Sequence, residues 1–443
     1  MDHVANERAV VRPPDHSAQT AAVVRAVMLN QMLFTAGHSL TTGGFLTYFI
    51  SEFRPSGFWY ALLLIAPELA ASLSLIAKRV SIWIGGRKRT WIAGLIGGRL
   101  FALLIPFALL WHDDTTNRTP LAFILICILA WSLLQGIGYV SLISWLSDLV
   151  PEVNWGKLFS RQYVAKGIIS LTVPLAAGLA RAYYIRNFSP HTARWTYSLV
   201  FFTGGSLVLL SVFPLLKFPD IPWTETNGKR LPGWCFGRAS LRDVLPKGLV
   251  FLLASRWWLA FFQGLSQAIM TKYSIQELHV RLEVYYALAS LMWGLQLLFT
   301  PWAGRLSDAN RERSTFFWSL IGVSFAALCW YFATPETWHW LIVAYGLWGL
   351  FSFVNISGQN LCLKLSPSGD NVRQYALYDQ VSGFIAGVAG LIGGLWFDTM
   401  AHAWTDQWPL LAYQVIFLVS FIGRFTAAFW LWPIPDRSRI PPT

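Results

Sequence analysis

Long apolar runs separated by short polar segments make up most of this chain. A helix needs about 20 mostly apolar residues to cross the hydrocarbon core of a bilayer, and runs of that length recur from end to end. Because backbone groups in hydrocarbon must hydrogen-bond within the protein, these runs predict helices; barrel strands would be shorter and alternating. The pattern predicts twelve spans, numbered one to twelve, at residues 26–50, 57–77, 90–111, 120–147, 163–184, 195–216, 248–271, 284–303, 315–333, 338–362, 376–397 and 408–432.

The longest polar stretch, residues 217–247, is rich in proline and glycine and lies between spans six and seven. It predicts a cytoplasmic linker between two six-helix bundles, at residues 21–216 and 248–433, with tails at 1–20 and 434–443. The predicted fold is therefore an all-α membrane protein built from two pseudo-symmetric bundles.

The composition supports a membrane protein without a bound metal or cofactor. Of the 443 residues 55% are hydrophobic and 13% are charged, whereas a soluble domain carries about 25% charged residues. The four cysteines are scattered, so small buried apolar residues are expected rather than disulfides or metal ligands. We predict neither cofactor nor metal.

The net charge of +12 is explained by topology. With both termini cytoplasmic, 24 of the 34 Lys and Arg residues fall on cytoplasmic segments and their flanks, seven on external loops and three inside spans. Basic residues concentrate on the cytoplasmic side, where they face anionic lipid. The distribution predicts an inner-membrane protein in contact with lipids and requires no nucleic acid. The polar first twenty residues do not resemble a cleavable signal peptide.

Two spans at corresponding places in the two halves carry matching polar residues. Each set has spacing i, i+7, i+11, which is one face of a helix: Gln31, His38 and Thr42 in span one, and Arg256, Gln263 and Gln267 in span seven. A single stripe could be a packing feature. Two stripes offset by about 225 residues favour a water-filled cavity shared by the halves.

A charged loop follows the second span of each half, "AKRVSIWIGGRKRTWI" at 77–92 and "TPWAGRLSDANRERSTFF" at 300–317. Together with twelve spans and two halves, this arrangement resembles the major facilitator superfamily of secondary transporters, whose signature loop reads G-x-L-x-D-R-x-G-R-R/K. Gly304, Asp308 and Arg313 match it in the second half, and Gly86, Arg87 and Lys88 in the first. The resemblance implies cytoplasmic gating loops that latch in one conformation; a plain topology signal is the alternative, mainly in the first half, where Trp83 replaces the Asp.

The resemblance also implies that spans one, four, seven and ten line the cavity. Polar residues lie one or two turns apart in the two remaining spans: Gln135 and Tyr139 in span four, and Asn355 and Gln359 in span ten. They complete the predicted substrate cavity. Arg256 could grip a carboxylate or phosphate, or extend to the membrane surface. His38 could titrate, or be a satisfied structural histidine. Glu68, in the middle of span two, is the coupling candidate, as proton carrier, substrate partner or structural ion pair.

These features predict secondary active or facilitative transport of a small polar solute by alternating access, with an anionic solute suggested by Arg256 and His38. The expected protein is a monomer and not an enzyme, either coupled to protons through Glu68 or a uniporter. A non-transporting receptor or scaffold on the same fold is the first alternative. A membrane-embedded enzyme is the second, disfavoured because six of the eight histidines lie outside the spans.

Overall fold

A computed structural model describes residues 16–72, 76–111, 118–149, 155–187, 195–220, 246–365, 371–404 and 410–434. Within these ranges the chain is helical and contains no strand. The predicted linker 217–247 and both predicted tails lie largely outside the described residues. We call residues 16–220 the first half and residues 246–434 the second half.

The first half is built from nine helical segments among its described residues: α1 (His16–Thr41), α2 (Gly43–Ser51), α3 (Gly57–Ser72), α4 (Ala77–Ile84), α5 (Arg87–Leu104), α6 (Arg118–Leu149), α7 (Trp155–Asn187), α8 (Trp195–Leu210) and α9 (Phe213–Leu216). The second half contains, where described, α10 (Lys247–Gln276), α11 (Leu282–Asp308), α12 (Glu312–Phe332), α13 (Trp340–Trp348), α14 (Phe351–Leu365), α15 (Asn371–Trp404) and α16 (Leu411–Ala427). Short 3-10 segments, Ile105–Trp111 and Ala428–Leu431, extend α5 and α16.

The helical membrane fold predicted from sequence is confirmed. Among the described residues, ten helices are long and apolar enough to cross a bilayer, and they correspond to spans three to twelve. The first two spans are also helical, but span one is divided into α1 and α2, and the apolar part of α3 is the shorter Gly57–Pro67. The count of twelve crossings stays a prediction.

The division of span one lies at Thr42 and Gly43. Thr42 has extended backbone angles, and its hydroxyl donates to the carbonyl of His38 at 2.6 Å. Gly43 has φ +54°, a conformation that favours glycine. On the next residue, Gly44, a Cβ would meet the rings of Tyr285 and Tyr286 in the second half. The break therefore directs α2 against the second half.

Glycines on α15 permit close packing on two sides. A Cβ on Gly390 would collide with Ile65, and one on Gly394 would collide with the carbonyl of Gly57, both on α3 of the first half. A Cβ on Gly393 would collide with the carbonyl of Leu265 on α10 of the second half. α15 is thus held both within its own bundle and against the other one, which fits its predicted place in span eleven.

Candidate solute site and gate

Hydrogen bonds between described residues of the two halves gather toward one end of the molecule. The Tyr48 hydroxyl donates to the carbonyl of Val280 at 2.6 Å, and the backbone N–H of Phe45 donates to the hydroxyl of Tyr286 at 2.8 Å. Nearby, the backbone N–H groups of Gly57 and Phe58 donate to the carboxylate of Asp398. We call this set of contacts the closed end.

An ion pair and a second helix contact extend the closed end on the other side of the bundles. Nη2 of Arg186, at the end of α7, lies 3.0 Å from Oε1 of Glu283 at the start of α11. Further along the same pair of helices, the hydroxyl of Ser290 donates to the carbonyl of Leu171 at 2.8 Å. α7 and α11 therefore hold the halves together much as α3 and α15 do.

The structure brings three predicted cavity residues together in one cleft of the first half. Gln31, Gln135 and Tyr139 line a small cleft that is partly open to solvent. The other residues that line it are Asn30, Phe34, Trp91, Leu95 and Leu142. The side chain of Tyr139 is 54% exposed although it lies in a span, as expected for a residue facing an aqueous cavity.

The predicted cavity residues of the second half lie outside this cleft. Gln267, Asn355 and Gln359 are exposed, and Gln263 is half-buried. Their shared cavity with the first half stays a prediction.

Behind the cleft, Arg99 forms a polar network that the sequence reasoning missed. Arg99 is 1% exposed; its Nη1 donates to the Thr41 hydroxyl at 2.7 Å and its Nη2 donates to Oε1 of Gln135 at 3.0 Å. The guanidinium also lies 5.3 Å from the centre of the Trp131 ring. The isolated arginine in span three was the available signal. Neighbouring polar groups hold this side chain inside the bundle and away from the membrane surface.

His38 and Thr42 lie beyond this network, toward the closed end. The His38 ring stacks on Phe34 at 5.4 Å and meets the edge of Trp131 at 6.0 Å. Its Nδ1 is buried without a hydrogen-bond partner, and the ring packs against these two aromatic side chains. Thr42 occupies the helix break described above.

Arg256 is associated with a carboxylate that the sequence reasoning missed. Its Nη2 lies 3.8 Å from Oδ1 of Asp379 on α15, and its guanidinium lies 5.2 Å from the centre of the Tyr378 ring. The Arg256 side chain is 20% exposed and that of Asp379 is 56% exposed. The distance is longer than a direct hydrogen bond, so the pair is loose. The available signal in the sequence was a carboxylate, Asp379, just inside the predicted span eleven.

The two signature loops tie equivalent helices together within each half. Nζ of Lys88 donates to the carbonyls of Leu216 and Phe218, at 2.6 and 2.5 Å. In the second half, Arg313 donates to the carbonyls of Leu431 and Trp432, at 3.1 and 2.7 Å. In each half the cation binds the open carbonyls where the sixth span ends, a position that favours positive charge.

An aspartate from elsewhere in the chain occupies the first signature loop. Oδ1 of Asp220 accepts the backbone N–H of Lys88 at 3.3 Å, and a Cβ on Gly86 would collide with Oδ2 of the same carboxylate. Arg87, the remaining predicted residue of this loop, is buried. Asp220 thus supplies a carboxylate to the loop in which Trp83 replaces the expected one.

The second loop is held by a buried glutamate. Glu312 is 3% exposed; it accepts from Ser307 at 3.1 Å and pairs with Lys364 at the end of α14. Gly304 differs from Gly86, because a Cβ there would meet no atom within 4 Å. Asp308 and Glu68 lie on α11 and α3, but their side chains lie outside the described residues.

Comparisons with known proteins agree with this architecture. Residues 257–443 match the model of the Major Facilitator Superfamily. No curated protein sequence matches the chain. A mutant of the nucleoside transporter NupG has a TM-score of 0.68 at 14% identity, covering 93% of this chain and 99% of its own. A D-xylose-proton symporter has a TM-score of 0.66 at 14% identity, covering 95% and 99%.

A bacterial homologue of the iron transporter ferroportin is similar to this chain in two states. Its inward-facing structure has a TM-score of 0.64 at 12% identity, covering 93% of this chain and 98% of its own. Its outward-facing structure has a TM-score of 0.54 at 13% identity, covering 93% and 99%.

Apolar helices in two bundles, a polar cleft and contacts at one end define a multi-pass membrane protein with a solute-transporter fold. The family match covers residues 257–443, and the similarity to solved transporters over nearly the whole chain shows a shared fold.

Proposed function

We propose that the protein moves a small polar solute across the membrane by alternating access, as a secondary active or facilitative transporter. One observation carries the proposal: the contacts between halves gather at one end, while polar side chains in spans four, seven and ten are exposed. A site open to one side and closed to the other is the arrangement that alternating access requires.

The distribution of basic residues supports an orientation for this state. With both termini cytoplasmic in an inner membrane, the closed end faces outward and the cleft opens inward. The higher TM-score with the inward-facing ferroportin homologue than with its outward-facing form supports the same assignment.

The two bundles, residues 21–216 and 248–433, would rock as units around the linker 217–247. The proposed substrate residues are those of the predicted cavity: Gln31, His38, Thr42, Gln135, Tyr139, Arg256, Gln263, Gln267, Asn355 and Gln359. Glu68 stays the proposed coupling residue, on the helix that packs against α15 across the halves. Asp379 joins it as a second candidate, because it is a carboxylate in loose contact with Arg256.

The signature loops fit a structural role in this state and a gating role between states. Lys88 and Arg313 each bind carbonyls within their own half, so these contacts do not join the two halves. We propose that Gly86, Arg87, Lys88, Gly304, Asp308 and Arg313 keep the third and sixth helices of each bundle together while the bundles move. The protein would act as a monomer, without catalytic chemistry.

Proteoliposome uptake tests the proposal when it is combined with a reversible lock on the closed end. Cysteines replacing Arg186 and Glu283, whose ion pair spans the halves, are joined by a bifunctional maleimide about as long as the two side chains. Uptake of small polar metabolites, measured across a broad panel, should be abolished by the cross-link. Each single-cysteine variant with the same reagent is the control. Uptake that persists in fully cross-linked protein, or its absence across the panel from intact protein, would contradict transport by alternating access.

A further inference from the structure

The hydrogen-bonding character of the cleft is set by its surroundings. Oε1 of Gln135 accepts from Nη2 of Arg99 at 3.0 Å and from the indole N–H of Trp131 at 2.7 Å. Arg and Trp side chains can only donate. The Gln135 amide therefore cannot be reversed, and its NH₂ group is the part left to donate to a ligand.

The side-chain amide of Asn30, on α1, is used in the opposite way to that of Gln135, because its NH₂ group is already bound. Its Nδ2 donates to the backbone carbonyl of Ser211 at 2.6 Å, and this oxygen can only accept. The Asn30 side chain is buried, and its Oδ1 is left to accept. The cleft thus combines a fixed donor on α6 with a fixed acceptor on α1. The side chains of Gln31 and Tyr139 can each donate or accept a hydrogen bond.

The cleft contains no carboxylate or basic side chain among its lining residues. Arg99, the cation that is hydrogen-bonded to the cleft residue Gln135, lies behind it and is already shared between Gln135 and Thr41. An anionic ligand would lose hydration without gaining a direct cationic partner, and it would face the Asn30 oxygen. A carbonyl would instead receive a hydrogen bond from an amide that Arg99 polarises.

Resting on the proposed transport function, we infer that this cleft binds a neutral planar solute that carries a carbonyl beside an N–H group, as in a carboxamide or a ring lactam. The carbonyl accepts from Gln135, the N–H donates to Asn30, and the ring lies against Phe34 and Tyr139. This differs from the anionic solute suggested by Arg256 and His38. Arg256 has Asp379 as a neighbour, and His38 is packed against Phe34 and Trp131.

Matched pairs of probes separate the two solute classes. Nicotinamide and nicotinate, benzamide and benzoate, and uracil and orotate each share a ring and differ by a carboxylate. Their effect on thermal unfolding of the purified protein reports binding. We expect at least one neutral member to raise the melting temperature while its carboxylate partner does not.

The variant Gln135→Glu tests the fixed donor without leaving Arg99 or Trp131 unpaired, because the new carboxylate still accepts from both. It replaces the NH₂ donor by an acceptor, so affinity for the neutral probe should fall at least about tenfold. The matched control, Gln414→Glu, places the same change in the first turn of α16, where a negative charge is favourable, and should bind normally. If Gln135→Glu has a lowered melting temperature without ligand, the probe series on wild-type protein decides alone.

Three outcomes would overturn the inference: no stabilisation by any neutral probe, greater stabilisation by a carboxylate partner, or undiminished binding to stably folded Gln135→Glu. None of them would contradict transport itself, which the cross-linking experiment tests with a panel that includes charged metabolites.

Discussion

Asp398 in the second half binds the first two residues of α3 in the first half: its carboxylate accepts the N–H of Gly57 at 2.7 Å and that of Phe58 at 2.8 Å. Both N–H groups belong to the first turn of α3, where no helical carbonyl is available and negative charge is favourable. One carboxylate thus stabilises a helix end and joins the two halves. A contact of this kind can be made and broken without disturbing either core.

Replacing Asp398 should favour opening of the closed end. Asp398→Ala removes two charge-assisted hydrogen bonds, and we expect a shift of the conformational equilibrium by about 1–3 kcal/mol. Asp398→Asn, which keeps one acceptor, should have a smaller effect. Spin labels at exposed Ser56 and Arg281 report the distance across the closed end by pulsed electron resonance. In Asp398→Ala a larger fraction of molecules should have the longer label distance. Thr399→Ala is the control for the same turn of α15, and an equal shift in that variant would contradict the role assigned to Asp398.

Two adjacent glycines on α15 should have different effects when they are enlarged. Gly394→Ala introduces a methyl group against the carbonyl of Gly57 in the other half, so it should separate the halves at the closed end. Gly393→Ala introduces one against Leu265 in the same half, so it should lower the melting temperature instead, by overpacking that costs about 1–3 kcal/mol. The label distance should increase mainly in Gly394→Ala, and the melting temperature should fall mainly in Gly393→Ala. The same change in both quantities for both variants would refute this prediction.

Loss of the cation in either signature loop should loosen the attachment of the sixth span. Lys88→Met and Arg313→Met each remove hydrogen bonds from a charged group to helix-terminal carbonyls, and each should reduce stability by about 1–3 kcal/mol. Thermal unfolding in detergent measures the loss. Arg89→Met changes an exposed cation beside Lys88 and should have little effect. A comparable loss in Arg89→Met would mean that net charge, rather than the carbonyl contacts, is responsible.

The two signature glycines should differ in their tolerance of a methyl group. Gly86→Ala would collide with the Asp220 carboxylate, whereas Gly304→Ala meets open space. We expect a clear fall in melting temperature for the first and almost none for the second. Combining Gly86→Ala with Asp220→Gly should restore part of the stability by removing the collision. No rescue in the double variant would show that Gly86 is required for a different reason.

The sequence predicts the spans well because lipid imposes a strong and local requirement on every segment. The placement of Lys88 and Arg313 near helix ends also follows from general electrostatics, although their particular carbonyl partners do not. The Gly43–Gly44 pair was a local signal for the break in span one.

Contacts between distant segments could not be predicted in the same way. Asp220 reaches Gly86 and Lys88 across more than a hundred residues, and only the folded chain shows that it replaces the missing loop aspartate. The partners of Arg99 could not be predicted, because the sequence does not show which neighbours pack around a span. For the same reason, the contact between Asp379 and Arg256 could not be predicted. Polar residues inside spans could be found, but their partners could not.

Paired distance measurements at the two ends of the molecule distinguish alternating access from a fixed arrangement of the halves. One label pair, at Ser56 and Arg281, reports the closed end; a second pair, at exposed Arg79 and Arg305, reports the opposite end. In lipid nanodiscs, with and without a bound solute, alternating access predicts that the two distances change in opposite directions, one lengthening as the other shortens. Distances that stay fixed, or that lengthen together, would contradict it.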